Sequence, residues 1–149
     1  MNVTVTLTAK HHTVGDEHHF FFMCVCDAVP RGCSMEFLKN NKTMETLRQF
    51  NDSCYHKTAD VCKGDECSCS SDCKNFTFKY NTKENRTGDI FSCQMKITEE
   101  GIWMNIYDSV IFDGRGKIIH LYYFPHSWFI LLSCDLQILL TLLVSSNSS

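Results

Sequence analysis

Ten cysteines in a chain of 149 residues constrain this molecule more than any other feature. Five of them, Cys54, Cys62, Cys67, Cys69 and Cys73, are crowded into one short stretch. Small domains in oxidising compartments use such density to reinforce a limited core. A zinc module would show paired Cys-x2-4-Cys elements a loop apart, and its thiolates survive best in a reducing compartment. No two such pairs stand a loop apart here, so the spacing predicts disulfides.

A second signal agrees. Asn-x-Ser/Thr sequons stand at Asn2, Asn41, Asn51, Asn75, Asn85 and Asn147, six of the nine asparagines. Ordinary Ser and Thr usage predicts about one such match, so the excess points to the secretory pathway. The competing explanation is that Asn and Thr share turns and strand edges. The opening "MNVTVTLTAK" has neither the basic start nor the apolar run of a signal peptide. The expectation is a cell-surface or extracellular protein whose signal lies upstream of this chain. With 14 basic against 17 acidic residues and no basic run, nothing marks a nucleic-acid partner.

Hydrophobic spacing predicts strands. Val3, Val5 and Leu7 alternate with threonines, and "HHTVGDEHH" turns the chain. Phe20, Phe22, Cys24 and Cys26 then share one face while Phe21, Met23 and Val25 share the other, as in a central strand. "DAVPRGC" is a loop, "SMEFLK" a short strand and "NNKT" a turn. "METLRQF" fits a short helix or a strand, and the cysteine-rich stretch has no period. Phe76, Phe78 and Tyr80 alternate in "NFTFKYNT", as do Phe91, Cys93, Met95 and Ile97 in "DIFSCQMKI". "WMNIYDSVIF" is a last strand before "DGRG". Six or seven short strands without a long helix predict an all-β antiparallel sandwich.

The residues leading to Cys93 resemble those of the immunoglobulin superfamily. In that family an aspartate, a glycine and a tyrosine precede the second inter-sheet cysteine at alternate positions. Thr87, Asp89 and Phe91 hold those places in "TGDIFSC". The resemblance implies Cys24 as the partner of Cys93, with Cys26 as the alternative, since Phe20 and Phe22 precede Cys24 as inward residues do in the family. Phe37 stands where the family carries a buried tryptophan, and Phe91 lacks the tyrosine's hydroxyl. The likeness spans residues 1–113 and implies a single Ig-like ectodomain with a cysteine-rich insertion at about 54–73. Cys33, Cys54, Cys62, Cys67, Cys69 and Cys73 would form extra disulfides of undetermined connectivity. Nine cysteines up to Cys93 leave one over, for Cys134 or for a disulfide-linked oligomer.

After a linker at 114–117, residues 118–144 are largely apolar, long enough to span a bilayer. Tyr122, Tyr123, Phe124 and Trp128 gather at the near end as an interfacial belt would. Asp135 opposes insertion by about 2.5–3.5 kcal/mol. The expectation is a transmembrane helix or a lipid-anchor signal, with 145–149 as a polar tail; a buried strand and helix of the domain itself is the alternative.

His11, His12, His18, His19, His56, His120 and His126 follow no metal-ligand or catalytic spacing, and no nucleophile or phosphate-loop motif occurs. His18 and His19 read as solvated strand-edge residues. The sequence therefore predicts no enzyme and no cofactor. It predicts a surface recognition or adhesion module for a protein or glycan ligand, using the "DAVPRG" loop and the 54–73 segment; the alternative is a secreted cysteine-rich effector or inhibitor.

Overall fold

The computed structural model describes residues 3–84, 87–124 and 128–131, and within them the chain is all β. The strands are β1 (Val5–Val14), β2 (Glu17–Cys26), β3 (Ser34–Lys39), β4 (Lys42–Phe50), β5 (Ser53–Tyr55), β6 (Cys67–Cys69), β7 (Asn75–Thr82), β8 (Ile90–Glu99), β9 (Ile102–Phe112), β10 (Ile118–Phe124) and β11 (Trp128–Leu131). They form two antiparallel sheets, one ordered β1-β2-β7-β6 and the other β11-β10-β9-β8-β3-β4-β5.

The alternation read from the sequence places the core between the sheets. Leu7, Phe20, Phe22, Phe76 and Phe78 of the first sheet meet Met35, Phe37, Leu47, Phe91, Met95, Val110 and Phe112 of the second. Ring centroids lie 4.8 Å apart for Phe20–Phe91 and 5.4 Å for Phe37–Phe78, within the contact range of aromatic pairs. Each such buried ring stabilises the fold by about 1.5–3 kcal/mol relative to exposure. Cys24 on β2 bonds Cys93 on β8 through this core, tying sheet to sheet.

β4 resolves the ambiguity of "METLRQF" in favour of a strand. Its helix-forming residues are overridden by tight turns on both sides, Asn40–Asn41 (φ 49° and 64°) and Asn51–Asp52 (φ 48° and 59°). Two consecutive positive φ values give the hairpin turn whose twist matches the flanking strands, and asparagine and aspartate tolerate it well. The register then turns Glu45 and Leu47 inward and Thr46 and Arg48 outward.

β2 is central in its sheet, between β1 and β7, but only its inner face is covered. Phe21 and Met23 are half-buried and Val25 is 39% exposed, because among the described residues no third layer lies over this sheet. Threonines and lysines of β1 and β7, Thr8, Lys10, Thr77 and Lys79, flank that outer row.

The described part of the apolar tail is strand, which differs from the expected helix. β10 pairs with β9 from Ile118↔Phe112 to Leu121↔Ser109, and β11 pairs with β10. "IIHLYYF" is rich in β-branched and aromatic residues, and the free edge of β9 offers it a ladder. Residues 114–117, expected as a linker, close this hairpin: Asp113 Oδ1 accepts from the N–H groups of Arg115 (2.7 Å) and Lys117 (2.9 Å). No helix among the described residues is long and apolar enough to cross a membrane. Residues 132–144 and the 145–149 tail lie outside the described residues.

Candidate functional site

The outer face of the seven-stranded sheet follows from the alternation of β8. Phe91, Cys93, Met95 and Ile97 point inward, so Ser92, Gln94, Lys96 and Thr98 point outward. Register adds their neighbours: Glu36 beside Gln94, Tyr107 beside Gln94, Asn105 beside Lys96 and Trp103 beside Thr98. On the other side Thr46 and Arg48 stand across from Glu36 and Ser34.

Two adjoining open hollows of about 470 and 530 Å³ lie on this face. The first runs beneath Arg31, Glu36, Arg48, Gln94 and Lys96; the second continues past Arg48 to Phe50, Tyr55 and Lys57. Glu36 is engaged by Gln94 Nε2 at 2.8 Å and by the Thr43 hydroxyl. Arg48 lies over the Phe50 ring at 5.7 Å, and neither Arg48 nor Lys96 has a carboxylate partner among the described residues. The groove is thus basic on a chain whose net charge is −3.

The "DAVPRG" loop borders this groove. Its short 3-10 turn at Arg31–Cys33 sets the Arg31 guanidinium 3.7 Å from the centroid of Trp103, itself 52% exposed on β9. Tyr107 is exposed on the same face, and Ile102 and Met104, also exposed, stand on the opposite face at the start of β9. The 54–73 segment flanks the groove with Tyr55, Lys57 and Ala59, while its cysteines lie at the sheet edge. Sequence reading did not single out Arg48, Lys96, Trp103 or Tyr107; the outward parity of β8 and β9 was the available signal.

Disulfides order the cysteine-rich edge where no hydrophobic period does. Cys54 on β5 bonds Cys69 on β6, joining the two sheets a second time. Cys33 bonds Cys73, fixing the "DAVPRG" loop to the turn before β7, and Cys62 bonds Cys67. Cys26, the alternative partner of Cys93, is the leftover thiol: it is 3% exposed, and its Sγ lies 3.6 Å from the carbonyl oxygens of Cys73 and Lys74. Burial, and secondarily Asp27 and Asp72, pushes its pKa up to about 11. Cys134 lies outside the described residues.

Beside the Cys62–Cys67 bond sits His56. Its Nδ1 is 3.1 Å from Glu45 Oε2, its Nε2 is 3.8 Å from Glu66 Oε2, and Cys67 Sγ is 3.4 Å from Nε2. Glu45 is buried, and its other oxygen accepts from the N–H groups of Lys57 (2.7 Å) and Thr46 (3.1 Å). A carboxylate oxygen accepts, so His56 Nδ1–H donates to Glu45, which leaves Nε2 facing Glu66 and Cys67.

The hairpin histidines are not all solvated edge residues. His11 Nε2 and His18 Nδ1 meet at 2.9 Å, with His11 against Phe20 and Phe112. Burial, then His18 and His12, lowers the His11 pKa, with Asp113 opposing. His12 and His19 face each other on the outer side of the same hairpin, and His126 lies outside the described residues. Of the sequons, Asn41 and Asn51 occupy exposed turns, and Asn75 is half-buried on β7 with an Oδ1 that has no partner among the described residues. Asn2, Asn85 and Asn147 lie outside the described residues.

No family model, curated protein or solved structure matches the chain.

Proposed function

We propose that the chain is a divergent immunoglobulin-type recognition or adhesion module, displayed outside the cell, that binds a protein or glycan ligand and catalyses nothing. The strand order carries this reading. One sheet of β1-β2-β7-β6 against another holding β9-β8-β3-β4-β5 corresponds strand for strand to the A-B-E-D and G-F-C-C′-C″ sheets of a variable-type domain. The Cys24–Cys93 bond stands at the B–F position. Phe37, 1% exposed on the third strand, packs against Phe22 and Phe78 in the tryptophan's place. Phe91 fills the tyrosine's place with its ring alone. β10 and β11 extend the sheet beyond that plan.

The disulfides favour an extracellular or secreted protein. Within that setting the basic groove, the Arg31–Trp103 contact and exposed Tyr107 of β9 offer the aromatic and arginine anchors on which interfaces depend. An acidic group on the ligand would meet Arg48 and Lys96 without displacing an existing ion pair.

The strand character of residues 118–124 and 128–131 bears on attachment. The 13 residues 132–144 are fewer than the about 20 needed to span as a helix, and fit the hydrophobic end of a lipid-anchor signal better. The second reading, a secreted effector or inhibitor, draws on the same observation. Partitioning of the expressed full chain between detergent and aqueous phases separates the two.

The test of recognition is a multimerised form of the chain, produced by a eukaryotic host, applied to a glycan array and to a panel of cell-surface proteins. A ligand lost on Trp103→Ala or on the Arg48→Glu/Lys96→Glu pair, and kept on Lys10→Glu or Lys79→Glu of the opposite sheet, supports the reading. A ligand indifferent to the groove substitutions refutes the assigned face.

A further inference from the structure

We propose that reductive opening of the Cys62–Cys67 disulfide converts this edge of the protein into a zinc site, with Cys62, Cys67, His56 and Glu66 as ligands and Glu45 as the carboxylate that orients His56.

The ligand atoms of His56, Cys62 and Cys67 already lie within 4.8 Å of one another, with His56 and Cys62 half-buried and Cys67 buried. In a tetrahedral site with Zn–S of about 2.3 Å and Zn–N of about 2.0–2.1 Å, a sulfur and a nitrogen stand about 3.6 Å apart. Cys67 Sγ and His56 Nε2 are 3.4 Å apart. A nitrogen and a carboxylate oxygen would stand about 3.4 Å apart, and Nε2 and Glu66 Oε2 are at 3.8 Å. The sulfur lies over the ring, since Nδ1 is also within 3.7 Å. Rotation of the freed Cys67 side chain about χ1 would carry the thiolate from the ring face toward Nε2, and the metal takes the place of any proton there.

The outer shell is in place before any metal arrives. A metal-ligating histidine characteristically gives its other N–H to a carboxylate, which fixes tautomer and ring orientation. Glu45 does this for His56 and is itself held by two backbone N–H groups from different strands and loops. A surface histidine has no need of so constrained a partner.

Among the four disulfides of the described residues this one spans the fewest residues. Its sulfurs close a loop of only 5 positions, against 69 for Cys24–Cys93, so opening it returns the least chain entropy to the unfolded state. Lys63 to Glu66 between them are exposed, whereas Cys24 and Cys93 are wholly buried. A dithiol of thioredoxin type supplies two electrons and two protons: its thiolate attacks one sulfur, the S–S bond breaks, and the second thiol closes the reductant's own disulfide. The protein is left with two thiols. Zn²⁺ then takes both as thiolates and releases two protons, and because it binds only the opened form it draws the exchange forward.

The full chain, exposed to graded tris(2-carboxyethyl)phosphine with and without Zn²⁺, tests this by differential alkylation and native mass spectrometry. In the test the phosphine replaces the dithiol and is oxidised to its oxide. Cys62 and Cys67 are expected to open before Cys24 and Cys93. The opened protein should hold one Zn²⁺ per chain, the oxidised protein none, and Co²⁺ in its place should give thiolate charge-transfer absorption. His56→Gln should weaken binding at least about tenfold, and Glu45→Gln by about 10–100-fold. Cys62→Ser/Cys67→Ser, folded by circular dichroism, should bind no zinc in reductant. Zinc uptake by that double variant, unchanged affinity in His56→Gln, no uptake by the opened chain, or prior loss of Cys24–Cys93 would each overturn the proposal.

Discussion

Asp108 and His120 meet across β9 and β10 with Oδ2 and Nε2 2.7 Å apart, and the same oxygen accepts the N–H of Leu7 at 2.7 Å. Leu7 belongs to the four-stranded sheet, so one carboxylate fastens both sheets and the added hairpin. Asp108→Ala removes the acceptor of the Leu7 N–H and the carboxylate that His120 meets. An unsatisfied buried N–H costs about 1–3 kcal/mol, so a loss of about that size is expected in denaturant unfolding, with a smaller loss for His120→Ala. An unchanged midpoint for Asp108→Ala would show that water replaces the carboxylate at no cost.

Acid should weaken the fold through His11. Its folded pKa lies below the ordinary 6.5 because burial and the neighbouring His18 and His12 disfavour the charged ring, while Asp113 partly offsets them. The unfolded chain therefore takes up a proton first as pH falls. Stability is fully present above about pH 6.5 and declines as pH drops through that value toward the folded pKa. Thermal unfolding compared at about pH 7.5 and about pH 5.5 should show a drop that His11→Gln reduces. Equal drops in both proteins would assign acid sensitivity elsewhere.

Cys26 should be chemically silent. The thiolate is the nucleophile, and a pKa raised to about 11 leaves almost none at neutral pH. Iodoacetamide at about pH 8 should leave Cys26 unlabelled in the folded protein and label it in denaturant, with peptide mapping to separate it from Cys134. The same burial denies it an interchain disulfide. A reducible dimer mapped to Cys26 would contradict the structure.

Strand alternation made much of the fold legible: Phe20–Phe22–Cys24, Phe76–Phe78 and Phe91–Cys93–Met95 all face the core as their period requires. β4 was ambiguous because Met44, Glu45, Leu47, Arg48 and Gln49 suit a helix, and what decides is long-range pairing with β3. β5 and β6 span three residues each, too short to show a period, and disulfides hold them. Residues 118–124 are apolar enough for a bilayer and β-branched enough for a ladder, and local sequence does not choose between those solvents. The groove residues stayed hidden because polar side chains on an outward face leave no hydrophobic pattern.

The left-handed turns at Asn41 and Asn51 alter what the sequons mean. Asparagine suits a positive φ, and the hydroxyl residue two places on falls at the start of a strand, Thr43 second in β4 and Ser53 first in β5. Hairpin construction alone would write Asn-x-Ser/Thr at both sites. Two of the six sequons thus have a second author, and the inference of secretion leans on the covalent cross-links, whose chemistry has no such double origin.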